Sequence, residues 1–265
     1  MIAQGPGRWS AVGSDPLDAL LRPGTIEIAL QPVMELTARG HALWGVECLA
    51  RGPAGTPFAD SHEMFEYVRR RGAEIRLDRA CFREAVRAVR ALPGSPRCSV
   101  NVHARTLADD GRFPAFVLEE LRKARLSPRT FALEVTAPRD LTPALLEAVA
   151  QLRSVGISIG IDDIGLANLD YEGLPECQPD YLKIDRCFVR GSPPDLRQVM
   201  LESAAGLGQA IGALTVAQGV DTAADLDAVR NQGISLVQGN LAGEPMSAME
   251  LVATGLLHGS VAACA

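Results

Sequence analysis

Asp162 and Asp163 stand side by side at the end of the apolar run Ile157-Ser158-Ile159-Gly160-Ile161. A run of this composition reads as a buried strand, and two neighbouring carboxylates there need something to neutralise them. A divalent cation would do so. Other strand-like segments finish in residues of the same kind: Val46-Glu47, Cys98-Ser99-Val100-Asn101 and Phe131-Ala132-Leu133-Glu134. Carboxylate and amide oxygens suit magnesium or manganese better than zinc. Taken alone, the paired aspartates read equally well as a loop turn or a helix cap.

Three further polar residues, Lys183, Gln218 and Gln238, follow the same pattern in later apolar runs. The four histidines, His41, His62, His103 and His258, show neither a His-x-x-x-His pair nor a Ser/Asp partner pattern, and read as surface or packing residues. Arg69-Arg70-Arg71 reads as a solvated helix end.

Positioning these residues together requires a fold in which strand ends converge. From Thr25 onward, short β-rich runs alternate with longer helical ones, the signature of βα units around a parallel sheet. Eight strands are expected, over residues 26–36, 42–49, 99–102, 131–135, 158–161, 181–184, 213–217 and 236–237. Helices are expected over 61–71, 74–91, 112–124, 143–154, 194–211, 223–231 and 246–257. The count suits a closed α/β barrel of the TIM-like (β/α)8 class, in which residues at the carboxyl ends of strands share one face. Only five residues, Thr37 to His41, separate the first two strands, too few for a crossover helix, so a hairpin and one antiparallel strand are expected.

Size and charge are consistent with this reading. A chain of 265 residues that is 47% hydrophobic can bury a sizeable core as one domain. Residues 1–24, rich in Gly and Pro around one short helix at 15–21, are expected to form a partly mobile amino-terminal arm. The barrel is expected over 25–258, with a tail at 259–265. A net charge of −6 without a dense basic tract argues against gripping DNA or RNA. Six cysteines without Cys-x-x-Cys spacing read as reduced core residues. No secretory leader or membrane-spanning run is visible, so a cytoplasmic protein is expected.

At this point the chain resembles the EAL-domain family, bacterial phosphodiesterases and receptors for cyclic di-GMP. The resemblance covers about residues 25 to 250. It rests on Gln31-Pro32, Glu47-Cys48-Leu49 with Arg51, Ser99-Val100-Asn101, Leu133-Glu134-Val135-Thr136, Asp162-Asp163-Ile164-Gly165, Leu182-Lys183-Ile184-Asp185-Arg186 and Gln238-Gly239, in the family's order. The resemblance implies that Glu47, Asn101, Glu134 and Asp162 bind a first metal, with Asp162 bridging to a second that Asp163 holds. It implies that Lys183 orients or helps deprotonate the attacking water, and that Gln31, Arg51 and Gln238 help seat the dinucleotide. It implies cyclic di-GMP as a partner and a second copy of the chain as another. With no obvious sensor, receiver or cyclase segment, a regulatory protein is a further candidate partner, and charge and hydropathy lead to the expectation of no DNA and no membrane partner.

Two departures bear on activity. Ala217-Gln218-Gly219-Val220-Asp221 stands where the family commonly has Ala-Glu-Gly-Val-Glu, so a neutral amide replaces a carboxylate of the second-metal site. An amide oxygen can still coordinate but lacks the charge that favours a divalent cation. The loop residues also differ, with Ala137 in place of a glutamate and Asp-Asp-Ile-Gly-Leu-Ala at 162–167. The expectation is metal-dependent hydrolysis of cyclic di-GMP to the linear dinucleotide with magnesium or manganese, the second ion weakly bound and turnover reduced. The alternative is a catalytically degenerate cyclic di-GMP receptor or protein-interaction module.

Overall fold

The computed structural model describes residues 15–37, 40–136, 138, 140–165, 169–190 and 192–259. Eight strands close into one barrel: β1 (Glu27–Thr37), β2 (Gly40–Arg51), β3 (Cys98–Val102), β4 (Phe131–Thr136), β5 (Ser158–Ile164), β6 (Tyr181–Ile184), β7 (Leu214–Ala217) and β8 (Leu236–Gln238). The pairs from β2 round to β8 are parallel, while β1 runs antiparallel to both β2 and β8. The expected hairpin and the expected antiparallel strand are therefore one feature. Residues 38 and 39, Ala137 and 166–168 lie outside the described residues.

Side chains alternate across each strand, and that alternation builds the site. Outward residues such as Val46, Cys48, Val100, Leu133, Ile161, Leu182 and Val237 join the main apolar layer under the helices. Inward residues Val33, Ala132, Tyr181, Val216 and Leu236, with Trp44 against them, fill the barrel floor. Two residues further toward the mouth, the same inward faces present Gln31, Glu134, Lys183, Gln218 and Gln238. The polar ring thus stands directly on an apolar floor, at the carboxyl ends of the parallel strands.

Helix Pro16–Leu20 is docked rather than loose. Asp15 caps it, and Leu17 and Leu20 are buried against Phe58, Met64, Val68 and Leu77. So the stretch expected as an arm is packed from residue 15; residues 1–14 and 260–265 are not described.

Other boundaries shift for local reasons. β5 runs three residues beyond the expected 161, carrying both aspartates inside the strand. The last helix, expected over 246–257, covers Ala248–Ala253, because Met246 exchanges backbone hydrogen bonds with Leu30 and Ser247 caps the helix that begins at Ala248. β7 starts at Leu214 because Ala213 N closes the preceding helix onto Gly208 O, past Gly212 at φ +74°. Helix Ala104–Asp109 has no counterpart among the expected elements; six residues are too few to show a 3.6-residue period. Cys48, Cys81, Cys98 and Cys177 are buried free thiols, whereas Cys187 is exposed. Among the described residues no helix is long and apolar enough to cross a membrane.

Candidate metal centre

Lys183, 1% exposed, stands at the middle of the ring. Its Nζ donates to Glu47 Oε2 and Glu134 Oε2 at 2.7 Å each, and to Asp162 Oδ2 at 3.3 Å. The three carboxylates come from β2, β4 and β5 and each offers an oxygen within 4.8 Å of the others. Asn101 donates its amide nitrogen to Glu47 Oε1 at 2.5 Å, leaving an amide oxygen as the atom it could offer a cation. Gln218 Nε2 donates to Asp162 Oδ1 at 2.9 Å.

Asp163 reaches the mouth by a different device. Regular alternation would send Asp162 and Asp163 to opposite faces of β5. Asp163 instead adopts φ +56°, at an irregularity in the β5–β6 pairing between Ile161 and Ile164. Aspartate tolerates this left-handed region better than most residues. The turned carboxylate lines a cavity of about 820 Å³ above the ring, together with Gln31, Glu47, Gln218 and Gln238. Asp185, Arg186, Arg190 and Asn240 belong to the same wall.

On the opposite side of the ring, Gln31 pairs directly with Glu47 across β1 and β2. Gln238 Nε2 bridges them, donating to Glu47 Oε2 at 2.7 Å and to Gln31 Oε1 at 3.1 Å. Gln238 Oε1 is buried with no hydrogen-bond partner among the described residues. Arg51 stands apart. It is exposed and lines a separate cavity of about 230 Å³ with Phe65, Leu49 and Asn101.

The electrostatics are those of a site short of positive charge. Burial pushes Glu134 up to about 8, and the Glu47 charge adds to the effect. Burial also raises Asp162 against the pull of Lys183, and burial with the charges of Asp162 and Asp185 takes Asp163 to about 6. For Glu47, burial is outweighed by Lys183 and by hydrogen bonds from Gln238 and Asn101, which hold its carboxyl below the usual range. Burial alone would lower the Lys183 pKa; Asp162, Glu134 and Glu47 outweigh it and raise Lys183 well above an ordinary lysine. With all three carboxylates ionised around the one ammonium, the cluster would carry two negative charges, the amount one divalent cation neutralises. The donor set therefore fits a hard cation with oxygen ligands.

Residues 15–245 match the family model of the EAL domain. The chain belongs to the EAL domain family. NbdA, a cyclic di-GMP phosphodiesterase of Pseudomonas aeruginosa, is 29% identical over 249 residues, covering 88% of this chain and 30% of that protein. The bifunctional diguanylate cyclase/cyclic di-GMP phosphodiesterase MucR of the same species is 33% identical over 160 residues, 59% of this chain and 23% of that one. This EAL domain thus spans under a third of either relative.

Among solved structures, the phosphodiesterase PaMucR in complex with c-di-GMP superposes with a TM-score of 0.77 at 27% identity, covering 86% of this chain and 99% of that one. A manganese/cy-diGMP complex of Klebsiella pneumoniae BlrP1 gives a TM-score of 0.74 at 26% identity, covering 85% and 57%. The structure gathers Glu47, Asn101, Glu134, Asp162, Lys183, Gln218, Gln31 and Gln238 into one connected set and brings Asp163 to its mouth. It does not bring Arg51 to the main cavity. Tyr181, which the sequence marks only as the start of an apolar strand, also takes part: its hydroxyl donates to Glu134 Oε1 at 2.8 Å.

Proposed function

We propose that this EAL domain hydrolyses one 3′–5′ phosphodiester of cyclic di-GMP to give the linear dinucleotide, with magnesium or manganese. The observation that carries the reading is the convergence of Glu47, Glu134 and Asp162 on one point beneath a cavity large enough for a small-molecule ligand. Glu47, Asn101, Glu134 and Asp162 would hold a first ion. Asp163 and Gln218, on either side of Asp162, would hold a second more weakly. When bound, such ions lower the pKa of water and neutralise charge developing on phosphate oxygens.

The protein's own groups take the remaining roles. Lys183, kept charged by its three carboxylates, would orient a nucleophile and steady a phosphate oxygen rather than accept a proton. Gln238 and Gln31 would seat the dinucleotide, the buried and unpartnered Gln238 Oε1 being a ready acceptor. Arg51, at the neighbouring smaller cavity, would contribute from the side. Buried free thiols at four positions suit a reducing compartment such as the cytoplasm.

A second reading has its own observation. Gln218 holds Asp162 by donating a hydrogen bond, so that carboxylate has a partner without a second cation. A receptor that binds cyclic di-GMP without turnover would use the same cavity. The deciding experiment measures product formation with magnesium or manganese beside equilibrium binding in calcium, for the natural chain and Glu47→Ala. Product from the natural chain and none from Glu47→Ala is expected. Binding in calcium with no product under any metal would leave the receptor reading, and no binding at all would leave a protein-interaction module.

A further inference from the structure

Glu134, Gly160 and Tyr181 lie in direct lateral register on β4, β5 and β6: Glu134 pairs with Gly160, and Gly160 with Tyr181. Two strand spacings separate the outer pair by about 9 to 10 Å at the backbone. A tyrosine can bridge that distance to a glutamate only if nothing projects from the strand between. A Cβ placed on Gly160 would fall 2.4 Å from Tyr181 Cε2 and Cζ and 2.8 Å from the hydroxyl. The phenol therefore crosses β5 over the glycine. Trp44 packs edge-on to the same ring, centroids 5.3 Å apart at 80°, and the Arg97 guanidinium lies 4.4 Å over Trp44. Tyr181 is 1% exposed and locked on the barrel floor.

Glu134 thus receives two hydrogen bonds from one strand face, Tyr181 on Oε1 and, two residues on, Lys183 on Oε2. The two differ in kind. Lys183 is shared with Glu47 and Asp162, and a cation at their centre would compete with it; the Tyr181 bond is made to the other carboxylate oxygen. We propose that Tyr181 is a positioning residue of the metal centre. Its hydroxyl fixes the plane of the Glu134 carboxylate, with Oε1 engaged and Oε2 turned toward Glu47 and Asp162, and Gly160 is the opening that permits it. The inference rests on reading the acidic cluster as a metal site. A floor residue needed only for packing could as well be phenylalanine, whereas a buried phenol and a buried carboxylate each require the partner found here.

Tyr181→Phe keeps the ring and removes one hydroxyl. Losing an outer partner of a metal ligand typically costs about 10- to 100-fold in affinity, so manganese binding, followed by electron paramagnetic resonance of the free ion, should weaken by that factor. The metal concentration for half-maximal hydrolysis should rise by more than the maximal rate falls. Gly160→Ala should act in the same direction by displacing the ring, and provides a second route to the answer. A natural chain that takes up manganese, with both variants matching its affinity, overturns the inference alone, even where their melting temperatures fall in chelator. A natural chain that takes up none overturns the metal reading and this inference with it.

Discussion

Gln218 and Asp162 face each other across the ring with the amide nitrogen 2.9 Å from Asp162 Oδ1, a contact that a carboxylate at position 218 could not make. Glutamate there would set two acceptors against each other in a cluster already short of positive charge. Gln218→Glu should therefore lower stability in chelator by about 1–3 kcal/mol, the usual cost of an unpaired buried polar group. Saturating magnesium or manganese should reverse the sign, and hydrolysis at limiting metal should rise. The check is melting temperature with and without metal for both chains. An equal metal-induced shift in the two would remove Gln218 from the account of the second ion.

Lys183 is the single ammonium among three buried carboxylates. Removing one member of a buried ionic network costs about 3–5 kcal/mol, because the remaining charges lose their compensation. Lys183→Met should show a loss of that order by urea unfolding in chelator. Divalent metal should recover more stability in this variant than in the natural chain, since the ion supplies charge where the ammonium did. Hydrolysis should stay low even at saturating metal. A variant no more responsive to metal than its parent would mean that the cation does not share this charge.

How far the sequence reveals this centre depends on the direction in which each contact runs. Along a strand, period-two alternation makes a polar residue closing an apolar run conspicuous, and Glu47, Asn101, Glu134, Asp162 and Lys183 are all visible in this way. Gln218 and Gln238 close later runs in the same pattern. Contacts across strands leave no such mark. Tyr181 begins the apolar run of β6 and reads as core, and Gly160 reads as one more small residue, because only lateral register shows that one makes room for the other. The left-handed turn at Asp163 is equally silent, since the sequence places both aspartates together without saying that the second is swung round. Arg51 shows the limit of motif order in the other direction: the order places it near the site without saying that its strand end opens on a neighbouring cavity, which shares Leu49 with the main one.

Stability should also respond to pH through a pair behind the site. Asp78, buried on helix Glu74–Arg90, accepts from His103 N at 2.9 Å, from Thr106 Oγ1 at 2.5 Å, and lies 2.8 Å from His103 Nδ1. Burial would lower the His103 pKa, but the hydrogen bond and charge of Asp78, with the Glu74 charge, outweigh burial and the opposing Arg69 and raise it above 6.5. A folded-state value above the unfolded one means that the imidazolium stabilises the fold fully below about 6.5, and that this contribution is lost as pH rises through the raised value. In chelator, the natural chain should therefore lose more stability between about pH 6 and pH 8 than His103→Gln. Parallel pH profiles for the two proteins would show that the pair does not titrate in this way.

Gly239, just past Gln238, should be intolerant of any side chain for a reason that a surface glycine does not share. Its φ is +154°, and a Cβ there would fall 2.4 Å from both the backbone N and O of Val220. Those atoms are already committed, Val220 N to Gln238 O at 3.0 Å and Val220 O to Leu241 N at 3.2 Å, so neither can move aside without shifting Gln238 or the segment that carries Gln218. Gly24, at φ +81° with nothing within 4 Å of a Cβ, provides the control. Gly24→Ala should cost only the backbone strain of about 1–2 kcal/mol. Gly239→Ala should add overpacking of about 1–3 kcal/mol and weaken cyclic di-GMP binding in calcium, which Gly24→Ala should leave unchanged. Urea unfolding and equilibrium binding of the two variants check both parts; equal losses of stability with intact binding would show that the Gly239–Val220 contact does not hold Gln238 in place.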